Sequence, residues 1–535
     1  MIKTHQPIRG KHLLITLFSL PFLWGGVLSS SVTAKDVELK IGIVQRFGET
    51  ETEKLSIAAT NEDNLTVEFK DSQGEVQTLT TNQLTLNVVE QPLSESLLRE
   101  YIVLSDHATF ETAEDSANQW KEKGIEVEVT QPERWQVWAK RDVYQTPLLR
   151  RLLLKSLQEK GLEPPNLEST ILSTKSQAEF TIAGKQYSSD YIKIIAEKNP
   201  IQVSHPEGIV RRYAGSLKLQ PNAYGTYSLV NRVPLETYLR GVVPHEIGPN
   251  APANAAKAQT IIARTYALRN LRRFQADNYQ LCADTHCQVY FGLSETSAKA
   301  DQAIAATAGL VLTYENELVD ALYSSTTGGV TASFSDAWNG EERPYLKAVI
   351  DAPNPIWDLS EKSLADEEAF RNFIGLKQGF NETGRNVFRW NRQATLVSLS
   401  QDLQKYLEKR KHSLADFKTI KSMEVTERSP SGRILTMIVE TDQGALELQK
   451  NEVRSAFMPP RSTLFYLDPI YDGQKQLTGY AFVGGGFGHG VGMSQFGSYN
   501  LANLGWSAEK ILSFYYPGTE IQPLNDSIVF WRKNE

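Results

Sequence analysis

Apolar and polar residues alternate in short runs from residue 36 to 95, in VELKIGIV, LSIAAT, NLTVEF, EVQTLTT and QLTLNVVE. Period-two alternation over such runs is the mark of a strand with one buried face. The breaks Asn61-Glu62-Asp63-Asn64 and Asp71-Ser72-Gln73-Gly74 are turn formers. The texture changes over 100–164. YIVL, IEVEV and WQVWA read as strands, while Ala113, Ala117 and Trp120, then Leu148, Leu149, Leu152 and Leu153, recur at helical spacing. Two similar strand–helix halves in that order are the pattern of a ferredoxin-like unit, and a generic α+β insert fits it as well. Strand-like runs return between 175 and 232 (EFTIAG, YIKIIAE, RRYAGSLKLQ, TYSLVN), and 235–350 mixes helix with strand. Leu364 to Leu407 reads as mostly helical; SMEVTE, ILTMIVET, GALELQK and AFVGGG read as strands before a helical stretch ending near 516. The class predicted is α+β and multi-domain, with β-rich mixed sheets, packed helices and one small ferredoxin-like insert.

A chain of 535 residues exceeds one hydrophobic core, which agrees with several modules. Its formal net charge of -7 carries no basic bias, and that argues against nucleic acid as a partner. Lys3, Arg9 and Lys11 precede the apolar stretch LLITLFSLPFLWGGVLSSSVTA, which ends in Val32-Thr33-Ala34. That is the layout of a secretory signal peptide cleaved after Ala34, with an uncleaved anchor as the alternative. Membrane contact is expected only through that segment if it is retained, so the protein is expected to be exported to the periplasm or cell envelope. The two cysteines, Cys282 and Cys287, lie in LCADTHCQVYFG. In an oxidising space they suit a disulfide; with His286 between them they are also candidate ligands of a structural zinc.

Three stretches carry candidate chemistry. In PLETYLRGVVPHEI, Pro234 suits a helix start, and Pro252 opens a second helix with Ala255, Ala258, Ile261, Ile262, Thr265 and Leu268 at helical spacing. The loop carrying Glu246 is then held between two packed elements, where partial desolvation raises a carboxyl pKa toward that of a general acid. A plainer reading has Glu246 capping the next helix or pairing with Arg264. In YAFVGGGFGHGVGMSQFG the glycines surround His489 and would let backbone lie close to an extended ligand. A dinucleotide-binding reading fails because a helix, not a parallel strand, follows. In ALYSSTTGGVTASFSDAW, hydroxyls and an aromatic suit sugar recognition.

Taken in order, VPLETYLRGVVPHEI, AAKAQTIIARTYALRN, HCQVYFG, AIAATAGLVLTY, YSSTTGG and GFGHGVGMSQFGSYNLANLGWSAEKILSFYYPGT resemble the sporulation stage II protein D (SpoIID) and amidase-enhancer LytB family over residues 230 to 525. The insert is similar, more loosely, to SPOR domains, which bind peptide-free glycan strands. The layout expected is a signal peptide (1–34), an N-terminal β-rich part (35–97), the SPOR-like insert (98–165), the catalytic or amidase-enhancing region (166–525) and a tail (526–535). The resemblance implies a lytic transglycosylase that cuts denuded glycan strands of peptidoglycan without a cofactor and stimulates an N-acetylmuramoyl-L-alanine amidase. It makes Glu246 the general acid and base. His489, Ser325, Thr326, Gln495 and Trp338 are expected to contact substrate, with Phe487 or Tyr515 as further stacking aromatics. Two departures stand out: His245 precedes Glu246 and would tune it, and Ser324 occupies a position commonly His. The second of these favours a non-catalytic activator that binds glycan and recruits an amidase. A hydrolytic muramidase using Glu246 with Asp336 is the third reading.

Overall fold

The computed structural model describes residues 37–531, apart from 51, 163–164, 199 and 206–207. The predicted leader and the end of the tail lie outside these residues. The strands expected over 36–95 form, and the last of them runs on. Gln83–His107 is one continuous strand of 25 residues, so the boundary placed at 97/98 falls inside it. Its partner Asn166–Ile182 follows it antiparallel over nearly the whole length, with the register shifting between Pro92 and Leu97. Pro92 lacks the N–H that a ladder needs, and the bulge absorbs it.

This long pair ties two units together. At one end Gln83–His107 pairs with Lys54–Ala58 of the β-rich body; at the other it pairs with Trp135–Ala139, which pairs in turn with Val127–Thr130. The order Asn166–Ile182, Gln83–His107, Trp135–Ala139, Val127–Thr130, all antiparallel and with helices Phe110–Glu122 and Pro147–Glu159 in the connections, is the ferredoxin-like arrangement. The second helix differs from expectation. It buries Arg150, Leu153 and Leu157 and leaves Leu148, Leu149 and Leu152 exposed. The rotation follows from Glu100, almost fully buried, which draws Arg150 and Arg151 onto the sheet. Paired guanidiniums hold its carboxyl down at about 2.

The body also has a seven-stranded sheet in which Glu38–Phe47 and Tyr227–Pro234 pair antiparallel as its second and third strands. Glu38–Phe47 also pairs in parallel with the short strand Leu281–Cys282. Ala253–Arg269 is a helix buried on nearly every side, packed among helices Leu235–Arg240, Ala298–Ala306, Gln495–Asn503 and Ala508–Tyr515 and strand Leu310–Tyr314. Alanines at 255, 256, 258, 263 and 267 keep that helix thin enough to be surrounded. Arg264, fully buried within it, makes a bidentate pair with Glu236 at 2.7 and 2.8 Å and donates to the Leu310 carbonyl. The partner of Arg264 is therefore Glu236 and not Glu246.

Residues 166–525 do not share one core. Two smaller clusters stand apart, one around Trp390, Leu399, Leu403, Phe465 and Phe482, the other around Phe370, Phe373, Phe380 and Phe388. The stretch read as mostly helical is broken by the strand Arg389–Thr395, which edges a sheet with Leu477–Gly485 and divides helices Glu367–Gly375 and Leu396–Lys409. Leu396–Lys409 starts where Thr395 caps it. No helix among the described residues is long and apolar enough to cross a membrane.

Removing one partner of a buried ion pair strands the other charge, whereas replacing both is far milder. Arg264→Met is expected to destabilise the protein by about 3–5 kcal/mol, seen as a fall in the denaturant midpoint. Pairing it with Glu236→Leu should restore most of the loss.

Candidate functional site

Glu246 ends a single helical turn, Val243–Glu246, with Pro244 in its first positions. The turn sits between helices Leu235–Arg240 and Ala253–Arg269, and Tyr499 donates its hydroxyl to the Ile247 carbonyl just beyond it. The Glu246 carboxyl accepts the Val289 N–H at 2.7 Å on one oxygen and the Gln495 amide at 3.3 Å on the other. Tyr323 is a third donor to it. Gln288 uses its amide N–H on the Tyr323 oxygen at 3.1 Å, which leaves the phenolic hydrogen free to point at the carboxyl. Burial raises the Glu246 pKa and the three donors oppose the rise. This is the direction expected of a general acid.

The donors arrive from distant parts of the chain. Val289 follows the turn closed by the Cys282–Cys287 disulfide, whose Cα atoms are 5.6 Å apart. With the sulfurs joined there is no thiolate for zinc, and no group of three or more candidate ligands exists among the described residues. His286 borders the cleft. Gln495 is placed by a two-stranded parallel pair in which Tyr323 lies opposite Met493 and Ser324 opposite Ser494. The hydroxyl-rich turn and the glycine-rich turn, some 170 residues apart in sequence, are thus one structure. Glu382, fully buried, locks it. Its carboxyl accepts the N–H groups of Thr327, Gly328 and Gly329 at 2.5, 2.9 and 3.2 Å and the hydroxyls of Thr327 and Ser494 at 3.0 and 2.5 Å. Beside it Asp351 accepts from Asn381 and Tyr515, each at 2.8 Å. Burial and the neighbouring Glu382 push the Asp351 pKa well up.

Glu246 opens onto a cleft of about 530 Å³. One wall is the glycine-rich loop with Phe487, His489 and Gln495; a second is Tyr323, Ser324, Ser325 and Trp338. The third comes from the ferredoxin-like unit, through Ala108 to Glu111 and Trp135. That unit is held here by Glu111 on Arg273 at 2.9 Å and by Glu114 on Arg272 at 2.6 Å. Trp135 also packs on Phe274, ring centroids 5.1 Å apart. His489 accepts the Val491 N–H on Nδ1 at 3.0 Å, so its proton sits on Nε2, toward the Tyr323 backbone. Burial, then Arg454 and Arg433, lower its pKa to about 3, and the ring is neutral at ordinary pH.

Several expected contacts lie elsewhere. Thr326 is fully buried and donates to the Val387 carbonyl at 3.3 Å. The strand ends at Ser324, and Thr326, two residues beyond it, turns its hydroxyl away from the cleft. Tyr515 is buried against Asp351. Asp336 takes no part in the cleft: it completes a capping box with Ser333 and accepts from Ser431 at 2.6 Å. Asp336 is thus held in structural hydrogen bonds and is not among the residues lining the cleft with Glu246. His245, one step round the helical turn, packs on Phe291 with ring centroids 4.5 Å apart and turns Nε2 to the Ser294 carbonyl, away from the Glu246 carboxyl. Two of the glycines answer to packing, while Gly488 lines the cleft. A Cβ at Gly490 would meet the buried Arg433 guanidinium at 2.2 Å, and at Gly492 the Leu322 carbonyl at 2.0 Å. Sequence reasoning missed Tyr323, Gln288, Val289, Arg454 and the place of the insert in the wall of this cleft. Only Tyr323 carried a signal, as the residue two before Ser325.

Comparison with known proteins agrees with the motifs. Residues 223–314 match a family model described as stage II sporulation protein, and 332–492 match one described only as a domain of unknown function. The chain is 27% identical over 359 residues to the amidase enhancer of Bacillus subtilis (strain 168), covering 58% of this chain and 48% of that relative. It is 26% identical over 333 residues to stage II sporulation protein D of the same organism, covering 58% and 81%. An uncharacterised protein of Brachyspira hyodysenteriae (strain ATCC 49526 / WA1) is 27% identical over 325 residues, covering 58% and 73%. The match therefore spans about half the length of the amidase enhancer.

The Glu246 pKa has a consequence for stability. Because the folded value lies above the ordinary 4.5, the group's contribution is fully present below that value and is lost as pH rises through the folded pKa. Glu246→Gln carries no such penalty. Its melting temperature is expected to match that of wild type in acid and to exceed it at about pH 8, as thermal melts across pH would register.

Proposed function

We propose that the chain is an exported lytic transglycosylase of peptidoglycan, cutting glycan strands from which stem peptides have been removed. The observation that carries the reading is one carboxyl, Glu246, whose pKa burial raises against the opposing pull of three donors, opening onto a cleft of about 530 Å³. The disulfide suits an oxidising compartment. The resemblance to stage II sporulation protein D and to an amidase enhancer supports a role at the cell wall.

The chemistry needs one proton and returns it. Protonated Glu246 donates to the oxygen linking C1 of N-acetylmuramic acid to N-acetylglucosamine, that bond breaks, and C1 gains oxocarbenium character. The sugar's own 6-hydroxyl closes on C1 while Glu246, now a carboxylate, takes the hydroxyl proton. A 1,6-anhydromuramyl end results and no water is consumed. A hydrolase would need a second carboxylate across the cleft, and the other acidic side chain lining it, Glu111, is engaged by Arg273. The Gln495 amide, Tyr323 and Val289 N–H stabilise the carboxylate left by proton transfer. In this reading Ser325, His489, Phe487 and Trp338 hold the sugars, the aromatic faces matching the apolar faces of pyranose rings.

A second reading has a specific observation behind it. One relative is named an amidase enhancer, and the ferredoxin-like unit forms a wall of the cleft, an arrangement that also suits a glycan-gripping scaffold for an amidase. The two separate by experiment. Purified mature protein incubated with peptide-free strands should release fragments one water lighter than hydrolysis products, and Glu246→Gln should lower the rate by roughly a hundredfold or more. Mass spectrometry reads both. Intact strands with wild type, together with unchanged amidase stimulation by Glu246→Gln, would replace the enzyme with the scaffold.

A further inference from the structure

One corner of the cleft is lined by buried donors that nothing among the described residues satisfies. Arg454 Nε, Trp338 Nε1 and Ser324 Oγ are each buried without a hydrogen-bond partner, and all three residues line the cleft around His489. His489 brings no acceptor to them, since its Nδ1 already takes the Val491 N–H and its Nε2 proton turns to the Tyr323 backbone. The charges around the cleft divide unequally. Arg273 has Glu111. Burial lowers the Arg454 pKa, and no carboxylate pairs with it among the described residues. Glu246 is not its counter-charge, since the influences on Glu246 are burial, Val289, Tyr323 and Gln495. A half-buried cation whose Nε lacks an acceptor, sharing the cleft with two further unpartnered donors and no counter-carboxylate, is suited to receive an anion.

We infer that Arg454, with Trp338 and Ser324, binds the lactyl carboxylate of an N-acetylmuramic acid residue in the cleft. This rests on the peptidoglycan reading above and deepens it. On a glycan strand the hydroxyls and acetamides are neutral, and the lactyl ether of muramic acid supplies the anion. In intact wall that carboxyl is tied up as the amide of the stem peptide. Only removal of the peptide exposes it as a carboxylate. The guanidinium therefore gives the cleft a direct chemical reading of denuded strands, in place of mere steric exclusion of the peptide. Arg454 comes from the short helix Glu452–Ala456, within the segment matched only by a domain of unknown function. That segment is thereby assigned the selection of substrate, while Glu246, from the 223–314 match, serves the chemistry.

The test measures binding apart from cleavage. Full-length mature protein carrying Glu246→Gln is titrated with peptide-free strands and with the same strands after carbodiimide capping of their carboxyls as methylamides. The free strands are expected to bind roughly tenfold or more tightly than the capped ones. Adding Arg454→Ala should bring affinity for free strands down to the capped level and leave affinity for capped strands unchanged; Arg454→Lys should retain part of the preference. Arg454 has no internal partner to strand, so the melting temperature of Arg454→Ala should not fall. If that variant nevertheless fails to fold, the free-against-capped comparison with Arg454 intact still decides. Equal binding of free and capped strands, no binding of either, or a full preference surviving in Arg454→Ala would each overturn the inference. Strands bound with the preference but never cut by wild type would overturn the transglycosylase alone and leave the carboxylate site standing.

Discussion

The geometry of the site depends on the buried carboxyl of Glu382. It collects three successive backbone N–H groups and two hydroxyls, and so fastens the turn after Tyr323 to the strand that carries Gln495. Backbone donors so deeply buried have no solvent to fall back on, and an unsatisfied one costs about 1–3 kcal/mol. The network is therefore close to all-or-none. A side chain that never reaches the cleft decides where the Glu246 donors stand. Arg433 extends the same lock from the other side, giving hydrogen bonds at 2.6 and 2.9 Å to the carbonyls of Thr327 and Val330.

Around that lock the cleft is assembled from pieces that cannot act alone. The N-terminal strand Glu38–Phe47 pairs with Leu281–Cys282 and so fixes one end of the disulfide turn; Val289 beyond the turn gives Glu246 its shortest hydrogen bond. The ferredoxin-like unit reaches the cleft because two long strands continue out of the body without a hinge. It is then clamped by Arg272 and Arg273, at the end of the buried helix that lies beneath Glu246. A wall made this way is rigid on the scale of a sugar ring. That is the condition under which one carboxyl can serve first as acid and then as base without losing its alignment.

The electrostatics divide along the same lines. Glu246 is held near neutrality by burial and by donors of no net charge, His489 is kept neutral by burial and neighbouring guanidiniums, and the unpaired cation stands apart at Arg454. An acid placed beside Arg454 would lose its proton too readily to donate it. The positions of Glu236 and Glu246 make the point from the other direction. The carboxylate that meets a buried arginine, Glu236, is structural, and the one left without a cation is the candidate acid.

How much of this was legible depended on whether the cause was local. Alternation fixed the strands of 36–95, the two-fold strand–helix pattern announced the ferredoxin-like unit, and Pro252 with its run of alanines announced a buried helix, because period and capping are properties of neighbouring residues. The motif order pointed to Glu246, Gln495, His489, Ser325 and Trp338. The failures have one physical origin. Thr326, Tyr515 and Asp336 are the right residue types in the right motifs, but which side of a strand or helix meets the cleft is decided by what packs behind it. Gly490 and Gly492 make room for Arg433 and Leu322, a role their sequence pattern did not announce. Sequence by itself therefore determined the elements, the candidate acid and the candidate disulfide; tertiary structure alone decided the donors of that acid, the wall supplied by the insert and the want of a carboxylate beside Arg454, since each depends on which distant parts of the chain are brought together.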